Sequence, residues 1–260
     1  MKIMQWITQK VTLINELFMQ LEHYEETEIL HQYRVNLRKL QSFTQIYSKE
    51  IEKKNVPKFT KIIKKIIKPT SKLRDLDVFL DDIHLIECSL HAKNALKILL
   101  VSQRKVALEE FLYQKETLEY KQNLSQLGAL VHDCKLRIDK EESAEIIKKL
   151  DKKMRKKFHK INSDSSLREL HRLRIDFKIL RYGLALHNEC FETEEILSLE
   201  LYDLKMLQDL FGVIQDNNSR LQFIFDNNDQ FSQEEYLELK SYFEEKIDTA
   251  RRNLLALVAS

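Results

Sequence analysis

The sequence predicts an all-α fold, and three observations predict it. Apolar residues recur at three- and four-residue spacing along almost the whole chain, which is the period of a helix with one buried face. The 260 residues include only three glycines and two prolines, far fewer than turn-rich folds use. A helical motif also repeats: His31-Gln32-Tyr33-Arg34-Val35-Asn36-Leu37-Arg38 returns 140 positions later as His171-Arg172-Leu173-Arg174-Ile175-Asp176-Phe177-Lys178.

In chain order, helices are expected over about Ile3 to Glu22, Glu28 to Lys49 and Lys58 to Lys68, with Thr27 capping the second and the Asn55-Val56-Pro57 break preceding the third. Pro69 with Thr70-Ser71 interrupts the chain there. The next helices are expected over Thr70 to His84, Ser89 to Tyr113, Lys115 to Lys135 and Glu141 to Ile161. The polar run Asn162 to Ser166, with Ser165 as N-cap, precedes Ser166 to Asn188. Thr193 to Leu210 and Val213 to Asp226 follow, then a polar break from Asp226 to Ser232 and a last helix from Gln233 to Ala259. Leu73-Arg74-Asp75-Leu76-Asp77 also answers Ile214-Gln215-Asp216-Asn217-Asn218, displaced by 140 or 141. Two matches at nearly one offset argue for two pseudo-symmetric antiparallel helical bundles, residues 1–140 and 141–260, within a single domain over 1–260.

An apolar content of 43% is enough to bury a core without covalent staples. Cys88, Cys134 and Cys190 form no CxxC pair, which fits reduced thiols in the cytoplasm. No stretch approaches the roughly 20 apolar residues of a membrane span. The net charge of +2 hides segregation: Lys53 to Arg74 holds nine bases and no acid, Lys148 to Lys160 holds eight bases against Asp151, and Glu189 to Asp203 holds six acids and no base. Segregation of this kind creates local positive fields in a nearly neutral protein.

Helical phase assigns these charges to faces. His31, Arg34, Arg38, Gln41 and Ser42 share a narrow sector opposite Tyr33, Leu37, Leu40, Phe43 and Tyr47. In the second copy His171, Arg174, Lys178, Arg181 and Tyr182 share a sector opposite Leu173, Phe177 and Leu180. Lys61, Lys64, Lys65 and Lys68 form a third stripe, backed by Ile62, Ile63, Ile66 and Ile67, and answered later by Lys205 and Gln208. Gly212 lies on the same side, where a missing side chain allows close approach. The stripes themselves carry no carboxylate, so their like charges repel unless an anion lies across them. Arginine forks, lysine point charges and a histidine donor are what a phosphate chain requires. Asp75, Asp77 and Asp216 are expected to orient the cations.

Two metal readings compete weakly with this one. Glu28 and His31 have the spacing of a di-iron bundle, but Arg168 replaces the glutamate in the second copy. His132-Asp133 is the dyad of metal phosphohydrolases but lacks supporting partners in context. No metal, cofactor or catalytic residue is expected. RNA binding is the principal alternative, although the aromatics sit mainly on apolar faces rather than among the bases. A helical adaptor for an acidic protein partner is the other.

The His31-xx-Arg34-Val35-xx-Arg38-Lys39-Leu40 segment, Leu73-Arg74-Asp75-Leu76-Asp77-Val78, His171-xx-Arg174-Ile175-xx-Lys178-xx-Arg181-Tyr182, and Leu207-Gln208-Asp209 through Gly212 to Gln215-Asp216 occur in order across nearly the whole chain. Together they resemble the CHAD family, the conserved histidine α-helical domains. The resemblance implies two four-helix bundles around a basic central cleft or pore that holds inorganic polyphosphate, with no catalysis, and members found at polyphosphate granules. It places His31, Arg34, Arg38, His171, Arg174, Lys178 and Arg181 on the ligand surface, to which Lys39, Lys61, Lys65, Lys68, Lys72, Arg74, Tyr182, Lys205 and Gln208 are added by charge and position. One departure is Ile179, where the family tends to have a second consecutive base after Lys178. The expected partners are polyphosphate itself and polyphosphate-metabolising enzymes or granule proteins, in a cytoplasmic role of granule association or regulation.

Overall fold

The computed structural model describes residues 2–21, 27–192 and 201–259. Among them run ten α-helices: α1 (Lys2–Gln20), α2 (Thr27–Ile46), α3 (Val56–Ile67), α4 (Ser71–Asp81), α5 (Leu90–Glu116), α6 (Leu118–Asp133), α7 (Lys140–Phe158), α8 (Leu167–Phe191), α9 (Leu201–Asp226) and α10 (Gln233–Ala259). Short 3-10 turns at Lys68–Thr70, Ile83–Leu85 and Asn228–Gln230 fill breaks between them. No helix among the described residues is long and apolar enough to cross a membrane.

The α3 segment shows how composition becomes structure. Pro57 stands in its first turn, where a missing N–H costs nothing, and Ile62, Ile63, Ile66 and Ile67 are buried while Lys61, Lys64, Lys65 and Lys68 are exposed. Each such isoleucine contributes about 1.5–3 kcal/mol of transfer free energy. At Pro69 the helix tightens into a 3-10 turn and restarts as α4.

Several helix ends differ from expectation by up to three residues, and two differences have a local physical reason. Ser166, not Ser165, caps α8: its Oγ accepts from Glu169 N at 3.3 Å and the Glu169 carboxylate accepts from Ser166 N at 2.8 Å, a reciprocal capping box. The break expected at 211–212 is absent, because Gly212 has ordinary helical φ and sits inside α9. One glycine costs a helix only about 1 kcal/mol, and the packing of α9 on α10 outweighs it. Residues 193–200 of the expected ninth helix, and Glu22 at the end of the expected first helix, lie outside the described residues.

The described residues fall into two units. The first is drawn from Met1–Asp75, Val106–Leu150 and Ile179–Ser198, and the second from Leu76–Lys105, Asp151–Lys178 and Leu199–Ser260. In the first, α1 and α3 both pack on α2 and α6. The apolar face of α2 is buried through Tyr33, Leu37, Leu40, Phe43 and Tyr47. The Tyr33 and Tyr120 hydroxyls meet at 3.0 Å, and Tyr120 donates to the Ile66 carbonyl, also at 3.0 Å. Deeper still, Ser143 Oγ lies 2.7 Å from the Tyr47 hydroxyl and 2.9 Å from His187 Nδ1, which ties α2, α7 and α8 together. In the second unit, Phe79 meets Phe223 and Phe243 edge-on, and Phe177 packs against Phe158 and Phe211.

Candidate anion-binding site

The first unit gathers cations on the solvent side of α2. His31, Arg34 and Arg74 are half-buried and Arg38 is exposed. Burial lowers the His31 pKa below its ordinary 6.5; Arg74 and Arg34 lower it further, against Glu28. Burial also pushes the Arg34 guanidinium down to about 10, which still leaves it charged at neutral pH. Asp75 offsets this, while Arg38 and Arg74 add to it. Arg38 is lowered by burial, with Tyr182 and Asp75 acting the other way. These groups are therefore close enough to repel one another, and Asp75 serves two arginines at once.

Arg34 has a second role. Its Nη1 donates to Thr70 Oγ1 at 2.5 Å, to Ser71 Oγ at 3.2 Å and to the Ile67 carbonyl at 3.4 Å, so the guanidinium closes the C-terminal end of α3. Arg38 is held more loosely, by a 2.8 Å bond from Nη1 to Gln41 one turn along.

Other expected members face elsewhere. Lys65 donates to Glu119 of α6 at 2.8 Å, Lys72 lies 3.9 Å from Glu110 of α5, and Lys61 and Lys68 are exposed. Lys39, about 100° round the helix from Arg38, lies 3.8 Å from Glu189 and close to Lys10 and Arg181. Arg181 also lies over the Tyr182 ring at 5.2 Å. Local phase could not show Glu119 and Glu189, because both come from distant segments.

In the second unit, Arg174 is half-buried and its Nη2 donates to Asp216 Oδ1 at 3.3 Å. A Cβ on Gly212 would meet that Nη2 at 3.6 Å, so the bare backbone lies under the guanidinium. Lys178, His171 and Gln208 are half-buried and Lys205 is exposed. Among the described residues, His171 Nδ1, Arg174 Nε and Gln208 Oε1 are buried polar atoms with no hydrogen-bond partner. Buried polar groups are normally satisfied by protein or ordered water, and His187 Nε2 and Asn188 Oδ1, outside the expected ligand residues, are in the same position.

The buried carboxylate of Asp77 accepts from Arg104 of α5 at 2.6 Å. Arg104 went unnoticed in the sequence because neither phase nor repeat marks it. Among the described residues no three His, Cys, Asp or Glu side chains converge as metal ligands would.

The sequence pattern of the CHAD domain family matches residues 13–224. Several solved structures resemble the fold, among them the following two. The CHAD domain from the plant Ricinus communis is 18% identical, with a TM-score of 0.76 over 95% of this chain and 88% of that one. PptA from Streptomyces chartreusis is 10% identical, with a TM-score of 0.76 over 99% and 97%. No curated protein matches the sequence. At such identities the structural likeness speaks for the fold alone.

Proposed function

The chain belongs to the CHAD family, and from that premise we propose that it binds inorganic polyphosphate through its basic side chains and catalyses no reaction on it. The observation that carries this is the clustering of His31, Arg34 and Arg74, with Arg38 beside Arg34, where Asp75 and Glu28 act in the opposite sense. A phosphate chain brings roughly one negative charge per residue to such a cluster, and bidentate oxygens suit arginine. The unsatisfied atoms of His171, Arg174 and Gln208 support a second set of contacts. Polyphosphate is preferred to RNA because Tyr33 and Tyr47 are buried, which leaves the half-buried Tyr182 as the ring beside Arg38 and Arg181. In the cell this binding serves a cytoplasmic role, joining the protein to polyphosphate granules or to enzymes that act on them.

The test is an equilibrium titration with long-chain polyphosphate at rising salt, with single-stranded RNA and heparin as competitors. Affinity is expected to fall steeply with salt as counterions are released, and polyphosphate to outcompete both. Equal affinity for all three polymers would reduce the function to general polyanion binding.

A further inference from the structure

The α5 helix runs unbroken from Leu90 to Glu116 and is apolar on two faces. On one, Leu96, Leu100, Ala107 and Phe111 are buried. The opposite face, at about 100° per residue, carries Ile98, Val101, Lys105, Val106, Glu109 and Tyr113, all exposed. Ile98 is 72% exposed, Val101 52%, Val106 48% and Tyr113 74%, with Leu90 at 70% where the helix starts. Single exposed apolar side chains are ordinary, but a row of them along one face marks a contact surface.

The row is close to symmetric about Ser102. Ile98 and Val106 lie four positions before and after it, and Leu90 and Tyr113 twelve before and eleven after. A two-fold axis requires such self-complementarity, because each residue meets on the other copy the one mirrored about the axis. The charges agree: His91 and Lys97 are exposed in the first half of the helix, Glu109 and Glu110 in the second. An antiparallel pair lays the basic half on the acidic half, whereas a parallel pair sets Lys97 on Lys97 and Glu109 on Glu109. Glu110 also lies 3.9 Å from Lys72 of its own chain, which leaves Glu109 the freer acceptor.

We propose that this face of α5 is the docking surface for a second copy of this chain, the two helices packing antiparallel about a two-fold axis near Ser102. Ile98 then meets Val106 of the partner subunit, Leu90 meets Tyr113 of the partner subunit, and Lys97 comes within reach of Glu109 of the partner subunit. Lys105, near the axis, lays its aliphatic stem along Ile98 of the partner subunit. One helix crossing buries less than about 1,200 Å², the range of weak and reversible interfaces, so the dissociation constant is expected on the order of 10 μM. None of these residues is among the cations assigned to polyphosphate, and dimer formation does not depend on that ligand.

The measurement is sedimentation equilibrium of the full chain, free of polyanion, from about 1 to 100 μM. The wild type is expected to pass from the mass of one chain towards that of two. Ile98→Asp alters the interface twice, by symmetry, and is expected to weaken association at least about tenfold. Lys97→Glu and Glu109→Lys each weaken it alone, and an equimolar mixture of the two recovers it, because every repulsive pair becomes attractive. A wild type that keeps the mass of one chain throughout, a dimer indifferent to Ile98→Asp, or a mixture that associates no better than its components overturns the proposal. If Ile98→Asp does not fold, the wild-type and charge-swap measurements still decide it.

Discussion

Arg174 donates from Nη2 to Oδ1 of Asp216 at 3.3 Å, beside the uncovered backbone of Gly212. The arginine side chain is 17% exposed and the aspartate 48%, so solvent screens the pair and its contribution to stability is about 1 kcal/mol or less. A Cβ at 212 would meet Nη2 at 3.6 Å, an ordinary contact. Gly212→Ala is therefore expected to stabilise the protein by about 0.5–1 kcal/mol through helix propensity alone, read as a raised midpoint in thermal unfolding. A lowered midpoint would mean that the guanidinium needs the bare backbone.

Arg34 is held far more firmly than Arg38. Removing its side chain takes a charged donor from Thr70 Oγ1, Ser71 Oγ and the Ile67 carbonyl at the end of α3, while both hydroxyls still donate to that carbonyl. Arg34→Ala is expected to lose about 1–3 kcal/mol in denaturant titration, whereas Arg38→Ala changes stability by no more than about 0.5 kcal/mol. Equal costs would remove the distinction between a structural and an exposed arginine.

The stripes were legible because helical phase is local. Tyr33, Leu37 and Phe43 are buried and Lys61 and Lys64 exposed, as their spacing requires. The partners were not legible: Glu119 reaches Lys65 across 54 positions and Glu189 reaches Lys39 across 150, and no periodicity encodes such distances. Gly212 misled for a related reason, since its propensity cost is local and the α9–α10 packing that overrides it is not. Asp77 matched a repeat by position, but its buried partner Arg104 lies outside both copies of that motif.

His31 gives binding a pH dependence. Its imidazole titrates below 6.5 because it is buried beside Arg74 and Arg34. A bound polyanion favours the protonated form, so the complex takes up protons that the unliganded protein does not hold. Polyphosphate affinity is expected to rise as the pH falls from about 7.5 towards 6, and His31→Gln to flatten that rise. A profile unaltered by the substitution would place His31 away from the ligand.

His187 governs stability instead. Burial, reinforced by Lys140, pushes its imidazole down to about 4. An unfolded chain protonates this histidine near 6.5, so between those values the unfolded state binds the extra proton. The contribution is complete above about 6.5 and is lost as the pH falls towards 4, about 3 kcal/mol in all. Urea unfolding of the wild type and His187→Phe across this range is expected to show the slope only in the wild type; the same slope in both would assign it to other groups.

The most direct measurement is the dissociation constant for long-chain polyphosphate of the wild type and of Arg38→Ala with Arg174→Ala, at one salt concentration and with melting temperatures taken alongside. Neither arginine carries the structural bonds of Arg34. Polyphosphate binding through these faces predicts affinity at least about tenfold weaker, or roughly 1.4 kcal/mol, with little change in melting temperature. Unchanged affinity in a folded double variant would contradict it.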